Sequence, residues 1–168
     1  DASKAIEIIS KLGSVDRESA SSAGGLAEAL SRTASSAKQA GVDLDLLLGM
    51  LAAIKDTAPT IGDEQIGTAI KSITARFSQV KANKFVDAET GDDLSNVEKV
   101  LGKIGIKIRD NLTDYRDLSD VLRDLAGKYN DLTDVERNAV NTALFGTYQA
   151  NMGQILMSNW DKVEKLTK

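Results

Sequence analysis

Apolar residues recur along this chain at spacings of three and four, the signature of helices that bury one face. A short first stretch carries Ala2, Ala5, Ile6, Ile8, Ile9 and Leu12 and can close at Gly13. The Ser- and Gly-rich run from Ser19 to Gly25 follows and reads as a flexible joint. From Leu26 the period is continuous through Leu30, Ala34 and Ala37 until Gly41, placed where a helix C-terminus favours glycine. Asp43 caps a second helix bearing Leu44, Leu47, Leu48, Leu51 and Ile54, and Pro59 with Gly62 ends that region. Asp63 and Glu64 open a third, whose Ile66, Ala69, Ile70, Ile73, Phe77 and Val80 share one face.

Beyond an acidic loop, Ser95 and Glu98 have capping-box spacing before Val97, Leu101 and Ile104. Ile104, Ile106 and Ile108 then alternate with Gly105 and Lys107, and Asp110-Asn111 can reverse the chain. That predicts at most one very short β-hairpin near residues 104–116. Ser119 begins a helix with Val121, Leu122, Leu125, Ala126 and Tyr129, and Thr133 and Glu136 form a second capping box ahead of Val140 and Leu144. One last helix is predicted from Met152 through Ile155, Leu156, Trp160 and Val163 to Leu166. The sum is an all-α, compact bundle of about seven or eight helices without internal repeats. Two parts are expected: residues 1–25 as a short helix and joint, and residues 26–168 as the main helical domain.

Composition agrees. The 168 residues include one proline and few aromatics, and 42% are hydrophobic. With neither His nor Cys, imidazole bases, thiol nucleophiles, disulfides and the usual zinc sites are excluded. A net charge of −4 argues against nucleic acid, whose binding rests on phosphate neutralisation. The longest apolar run, Leu46 to Ile54, is far below the roughly 20 residues a bilayer span needs. Charge is locally uneven: Lys71, Arg76, Lys81 and Lys84 precede Asp87, Glu89, Asp92, Asp93 and Glu98. The simplest account is acids at helix starts and bases at helix ends, which complements the helix dipole.

Candidate chemistry is thin. Ser-x-x-Lys occurs at Ser35–Lys38 and Ser78–Lys81, but the companion motifs of the hydrolases that use such pairs are missing. Gly62 and Gly67 have phosphate-loop spacing, yet Thr68 stands where lysine is required. Gly102-Lys103-Ile104-Gly105 has the form of an RNA-clamping loop in an acidic protein. Asp87, Glu89, Asp93 and Glu98 fall at positions 1, 3, 7 and 12 of a calcium-loop frame, but Asp92 occupies the place that needs glycine. That stretch reads as a solvated loop. No catalytic, cofactor-binding or metal-binding residue is assigned, and no enzyme or cofactor is expected.

Several pieces nevertheless occur in a familiar order. They are Ala40-Gly41-Val42 before the Leu-rich helix, Gly62 to Phe77 centred on Ile66-Gly67-Thr68-Ala69-Ile70-Lys71-Ser72-Ile73, and Leu101 with Ile104-Gly105-Ile106. Asp120-Val121-Leu122 with Leu125-Ala126 and Leu132 follows, then Gly146-Thr147-Tyr148-Gln149-Ala150-Asn151. Together, from about Leu26 to Trp160, they resemble the core region of bacteriophage and prophage tail tape measure proteins, also called phage minor tail proteins. Two departures are Leu112-Thr113-Asp114, where the family turns with glycine, and Tyr148, where it often has a basic residue.

The resemblance implies a structural role in tail assembly and in setting tail length inside the tail tube. The implied partners are the tail tube protein, tail assembly chaperones and tail-tip proteins. The implied location is the virion tail, with the host cytoplasm during assembly. With Asp1 in place of an initiating Met, a segment of a longer protein is expected. The competing readings are a helical adaptor unrelated to phage and, third, a cryptic hydrolase.

Overall fold

The structure, a computed structural model, describes residues 23–88, 91 and 93–167. Among these residues it has eight helices and no sheet. They are α1 (Ala23–Ala40), α2 (Leu44–Thr57), α3 (Asp63–Lys81) and α4 (Val97–Lys103), followed by α5 (Leu118–Tyr129), α6 (Asp134–Phe145), α7 (Ala150–Ser158) and α8 (Trp160–Thr167). The chain is an all-α compact bundle, as its periodicity predicts. The expected first helix and most of the Ser/Gly-rich stretch lie outside the described residues. The last three residues of that stretch, Ala23 to Gly25, belong to the first turn of α1.

α2 is the centre of the bundle. Every residue from Leu46 to Ile54 is buried, so this helix has no solvent face over nine residues. Such all-round burial requires neighbours on every side, and α1, α3, α7 and α8 supply them. The most extensive helix pair is α1 with α3, which places Ala37 and Ala40 near the apolar stripe Ile66, Ile70, Ile73 and Phe77. On the far side α8 packs so closely on α2 that a Cβ on Gly49 would lie 2.8 Å from the Val163 carbonyl oxygen.

Two helix starts use signals read from the sequence, Asp43 and the Thr133–Glu136 box, and α3 adds a bond from Gln65. Asp43 accepts the Leu46 amide at 2.8 Å, Gln65 reaches back to the Gly62 amide at 3.2 Å, and Thr133 and Glu136 exchange their capping-box bonds. Each satisfies an amide that the first helical turn leaves unpaired. Gly41 takes φ +86°, a conformation that disfavours other residues. Its turn also meets α5, where the Ser119 amide donates to the Gly41 carbonyl.

Four local expectations are corrected. The Ser95–Glu98 capping box does not form: the Ser95 hydroxyl and amide both donate to Asp93, while Glu98 is taken by Arg109. α5 starts at Leu118, leaving Ser119 inside the helix and buried. The last helix divides at Asn159, whose backbone leaves the helical region (φ −122°, ψ 28°) and whose side chain donates to the Ile155 carbonyl oxygen. A side chain bonding back four residues competes with the helical ladder and breaks it there. The expected hairpin shrinks to one antiparallel bridge between Arg109 and Tyr115. Its turn is held by the Asn111 side chain, which accepts the amides of Thr113 and Asp114. A second bridge, Val86 with Asp93, was not anticipated.

Candidate functional site

The segments between α3 and α5 carry most of the irregular structure and build one side of the molecule. Its base is a buried ion pair. Arg76 lies on the apolar face of α3, one turn from Ile73 and from Val80, and extends to the C-terminal part of α6. There its Nε donates to the Ala143 carbonyl oxygen at 3.1 Å. Its Nη1 lies 3.4 Å from Asp87 Oδ2, and both side chains are 5% exposed. Gln79 completes the joint by donating to Asp87 Oδ1 at 3.3 Å and accepting the Ala88 amide at 2.7 Å.

This overturns the reading of the acidic stretch as a simply solvated loop. Asp87 is buried because a guanidinium already in the core needs a counter-charge. Reasoning from the sequence named both residues in its charge runs but missed their burial and their pairing. The signal was present: Arg76 sits three positions after Ile73 and four before Val80, within the buried stripe.

Above this joint lies a second polar cluster. Arg109 grips both carboxylate oxygens of Glu98, with Nε at 2.6 Å. Its guanidinium carbon also stands 5.5 Å from the centroid of the Tyr115 ring. The hydrogen bond to Glu98 pushes the Arg109 pKa further up and keeps the cation fixed. The Tyr115 hydroxyl donates to Asn83 Oδ1 at 2.7 Å, tying the hairpin to the end of α3. A cavity of about 220 Å³ separates the two loops, bordered by Phe85, Leu94, Ile108 and Tyr115. Phe85, Val86 and Leu112 project from the same loops, 71%, 59% and 89% exposed. Large apolar residues this open on adjacent loops are the form an interaction face takes.

The motifs singled out in the sequence are dispersed by the fold. Ser35 and Lys38 are both exposed on α1. Ser78 contacts Gln39, and Lys81 pairs with Asp117, so that serine and lysine are each engaged elsewhere. Gly62 precedes α3 and Gly67 is inside it, which leaves no phosphate-cradling loop. Gly102 and Gly105 flank the end of α4, where Lys128 donates to the carbonyl oxygens of Ile104 and Gly105. Of the calcium-loop frame, Asp87, Asp93 and Glu98 each bond to a different protein group, and Glu89 lies outside the described residues. No group of three or more potential metal ligands occurs among the described residues. No helix of the described residues is long and apolar enough to cross a membrane.

The bundle thus presents irregular surface on a rigid helical base, with the charged motifs consumed by structure. No solved structure matches the chain. Residues 1–146 match the family described as Phage-related minor tail protein. That span takes in α1 to α6 and both loops and stops at Gly146, ahead of the Tyr148 turn. The chain therefore belongs to the phage-related minor tail protein family, with a structural role among the other components of the phage tail.

Proposed function

We propose that this chain is a folded node of a tail tape measure protein, non-enzymatic, which supports tail assembly while the parent protein sets tail length. The node is the helical domain of residues 26–168, with the first turn of α1 from Ala23 joined to it, and the short helix and joint fall within residues 1–25 ahead of it. The family supports a tail role, and the ordered motifs from Leu26 to Trp160 support the tape measure in particular. The partners it would meet are the tube protein, assembly chaperones and tail-tip proteins, in the virion tail and earlier in the host cytoplasm.

One observation carries the word node. A straight helix of this length would measure about 250 Å, at about 1.5 Å per residue. The chain instead turns back at Gly41 and Gly146, both at positive φ, and the side chains of α1 to α8 share one hydrophobic cluster. A bundle of this size has a radius of gyration of roughly 15 Å, so it contributes little length as a ruler.

Tail length by electron microscopy tests both parts. Deleting the codons for Asp1–Lys168 should give tails of normal length, or no tails. Shortening by up to about 250 Å would overturn the node. In-frame duplications elsewhere in the parent gene should lengthen tails by about 1.5 Å per added residue. Unchanged length there would refute the tape measure.

A further inference from the structure

From α4 and the hairpin we infer a docking groove for an acidic, leucine-bearing peptide segment of another protein. The groove measures about 440 Å³, with Gly102 on one wall, buried Ile106 at its base and Leu112 on the other wall. Leu112 is 89% exposed, the most open large apolar residue among those described. Gly102 leaves its wall bare, since a Cβ built there meets nothing within 4 Å.

Charges of both signs line the groove (Glu98, Lys107, Arg109 and Asp110), and further lysines flank it on α4. Lys99 and Lys103 lie one turn apart on α4, about 100° around the helix from the Glu98–Gly102 line that faces the groove. Lys107 lines the groove itself. All three are exposed and have no ion-pair partner among the described residues. Lys128 adds a fourth cation at the end of α4, where its ammonium donates to the Ile104 and Gly105 carbonyl oxygens. Glu98 does not offset them, because Arg109 already neutralises it. The hairpin wall carries Leu112 with Asp110 and Asp114. A segment with carboxylates toward α4 and an aliphatic side chain toward Leu112 complements both walls.

Nucleic acid fits less well. No aromatic ring lines the groove for bases to stack on. The inference does not rest on the tape measure reading, since it concerns a surface of this chain alone.

Fluorescence anisotropy on the 168-residue chain tests it. The probes are a short labelled peptide of mixed Glu and Leu, the same peptide with Lys for Glu, a single-stranded DNA oligonucleotide and anionic phospholipid vesicles. The Glu/Leu peptide should bind and weaken as salt is raised. Lys99→Glu, Lys103→Glu and Lys107→Glu combined should weaken it roughly tenfold or more, as for loss of complementary charge. Gly102→Trp, which fills the groove, and Leu112→Asp should each weaken it with an unchanged melting curve. Failure of the Glu/Leu peptide to bind would overturn the proposal, as would binding untouched by the triple reversal or equal binding of the Lys peptide. DNA or vesicles binding with the same sensitivity to reversal, and more tightly than the peptide, would assign the lysines to a phosphate-bearing partner instead.

Discussion

Removing the carboxylate of Asp87 should take a buried counter-charge from a guanidinium that α3 holds in the core. At the observed 3.4 Å, with an effective dielectric of about 20, the attraction between Arg76 and Asp87 is about 5 kcal/mol. Desolvation of both groups offsets much of this, which is why a buried pair adds little net stability over apolar residues of similar shape. The single variants are different: each breaks the pair from one side and leaves the other charge at a position 5% exposed. Asp87→Ala and Arg76→Met should therefore each cost about 3 kcal/mol, the low end for broken buried pairs, because the contact is long. Asp87→Asn should cost less than Asp87→Ala, since its amide oxygen still accepts from Gln79. The double variant should cost only about 1 to 2 kcal/mol, mostly for the lost bond from Arg76 to the Ala143 carbonyl. Urea unfolding followed by circular dichroism gives the four free energies of the cycle. A single-variant cost below about 1 kcal/mol, or a double variant equal to the sum of the singles, would refute the buried-charge argument.

Glycine substitutions should divide by environment. Gly153→Ala should destabilise by about 1 to 3 kcal/mol, because its Cβ would fall 2.0 Å from Cδ2 of the buried Phe145 ring. Gly102→Ala, with open space around it, should instead stabilise by about 0.5 kcal/mol, as a helical glycine replaced by alanine does. Opposite shifts in melting temperature check the pair. Thr133→Ala should cost about 1 kcal/mol through loss of the α6 capping bond, readable as a lower urea midpoint at constant slope. The Asp93 carboxyl is held below the ordinary carboxylate value by the Ser95 hydroxyl and then by the Ser95 amide. A depressed folded pKa stabilises above the unfolded value and is lost as pH falls through the folded one, so this contribution is complete at neutral pH and fades only in acid. Ser95→Ala should raise the Asp93 pKa in an NMR titration, and an unmoved titration would contradict the assignment.

The helices were legible because burial of one face is written locally, in residues three and four apart. Leu46 to Ile54 shows where that legibility stops. The run identified an apolar helix, but its place at the centre depends on four neighbours that no local pattern names. Asn159 shows a second limit, since its preference for bonding the Ile155 carbonyl competes with an apolar period that continues unbroken from Met152 to Leu166. The Ser95–Glu98 spacing met a capping-box rule and failed because Arg109, eleven residues on, offers Glu98 two charge-assisted bonds. A capping bond contributes about 1 kcal/mol, and a bidentate arginine–carboxylate pair competes with it on better terms. The candidate face was hidden for the same reason: Phe85 and Leu112 sit in different loops, and only the tertiary fold puts those loops side by side.

Charge makes the distinction between folding and function sharper than apolarity does. In the sequence the basic run from Lys71 to Lys84 and the acidic run from Asp87 to Glu98 look like two opposed patches. In the fold several of these groups are engaged in place: Arg76 with Asp87, Lys81 with Asp117, Glu98 with Arg109, and Asp93 with the Ser95 hydroxyl and amide. Charges consumed this way hold loops to helices and are unavailable to a partner. In the sequence Lys103 stands out only within a glycine motif and Lys107 only within an alternating run, and nothing joins them to Lys99 four residues before. They are exposed, pair with no carboxylate among the described residues and stand beside an open groove. In a chain of net charge −4, three exposed lysines with no carboxylate partner among the described residues form a basic surface. Charge left after the internal pairs are made is therefore a better guide to where this tail protein meets its neighbour than charge counted along the chain.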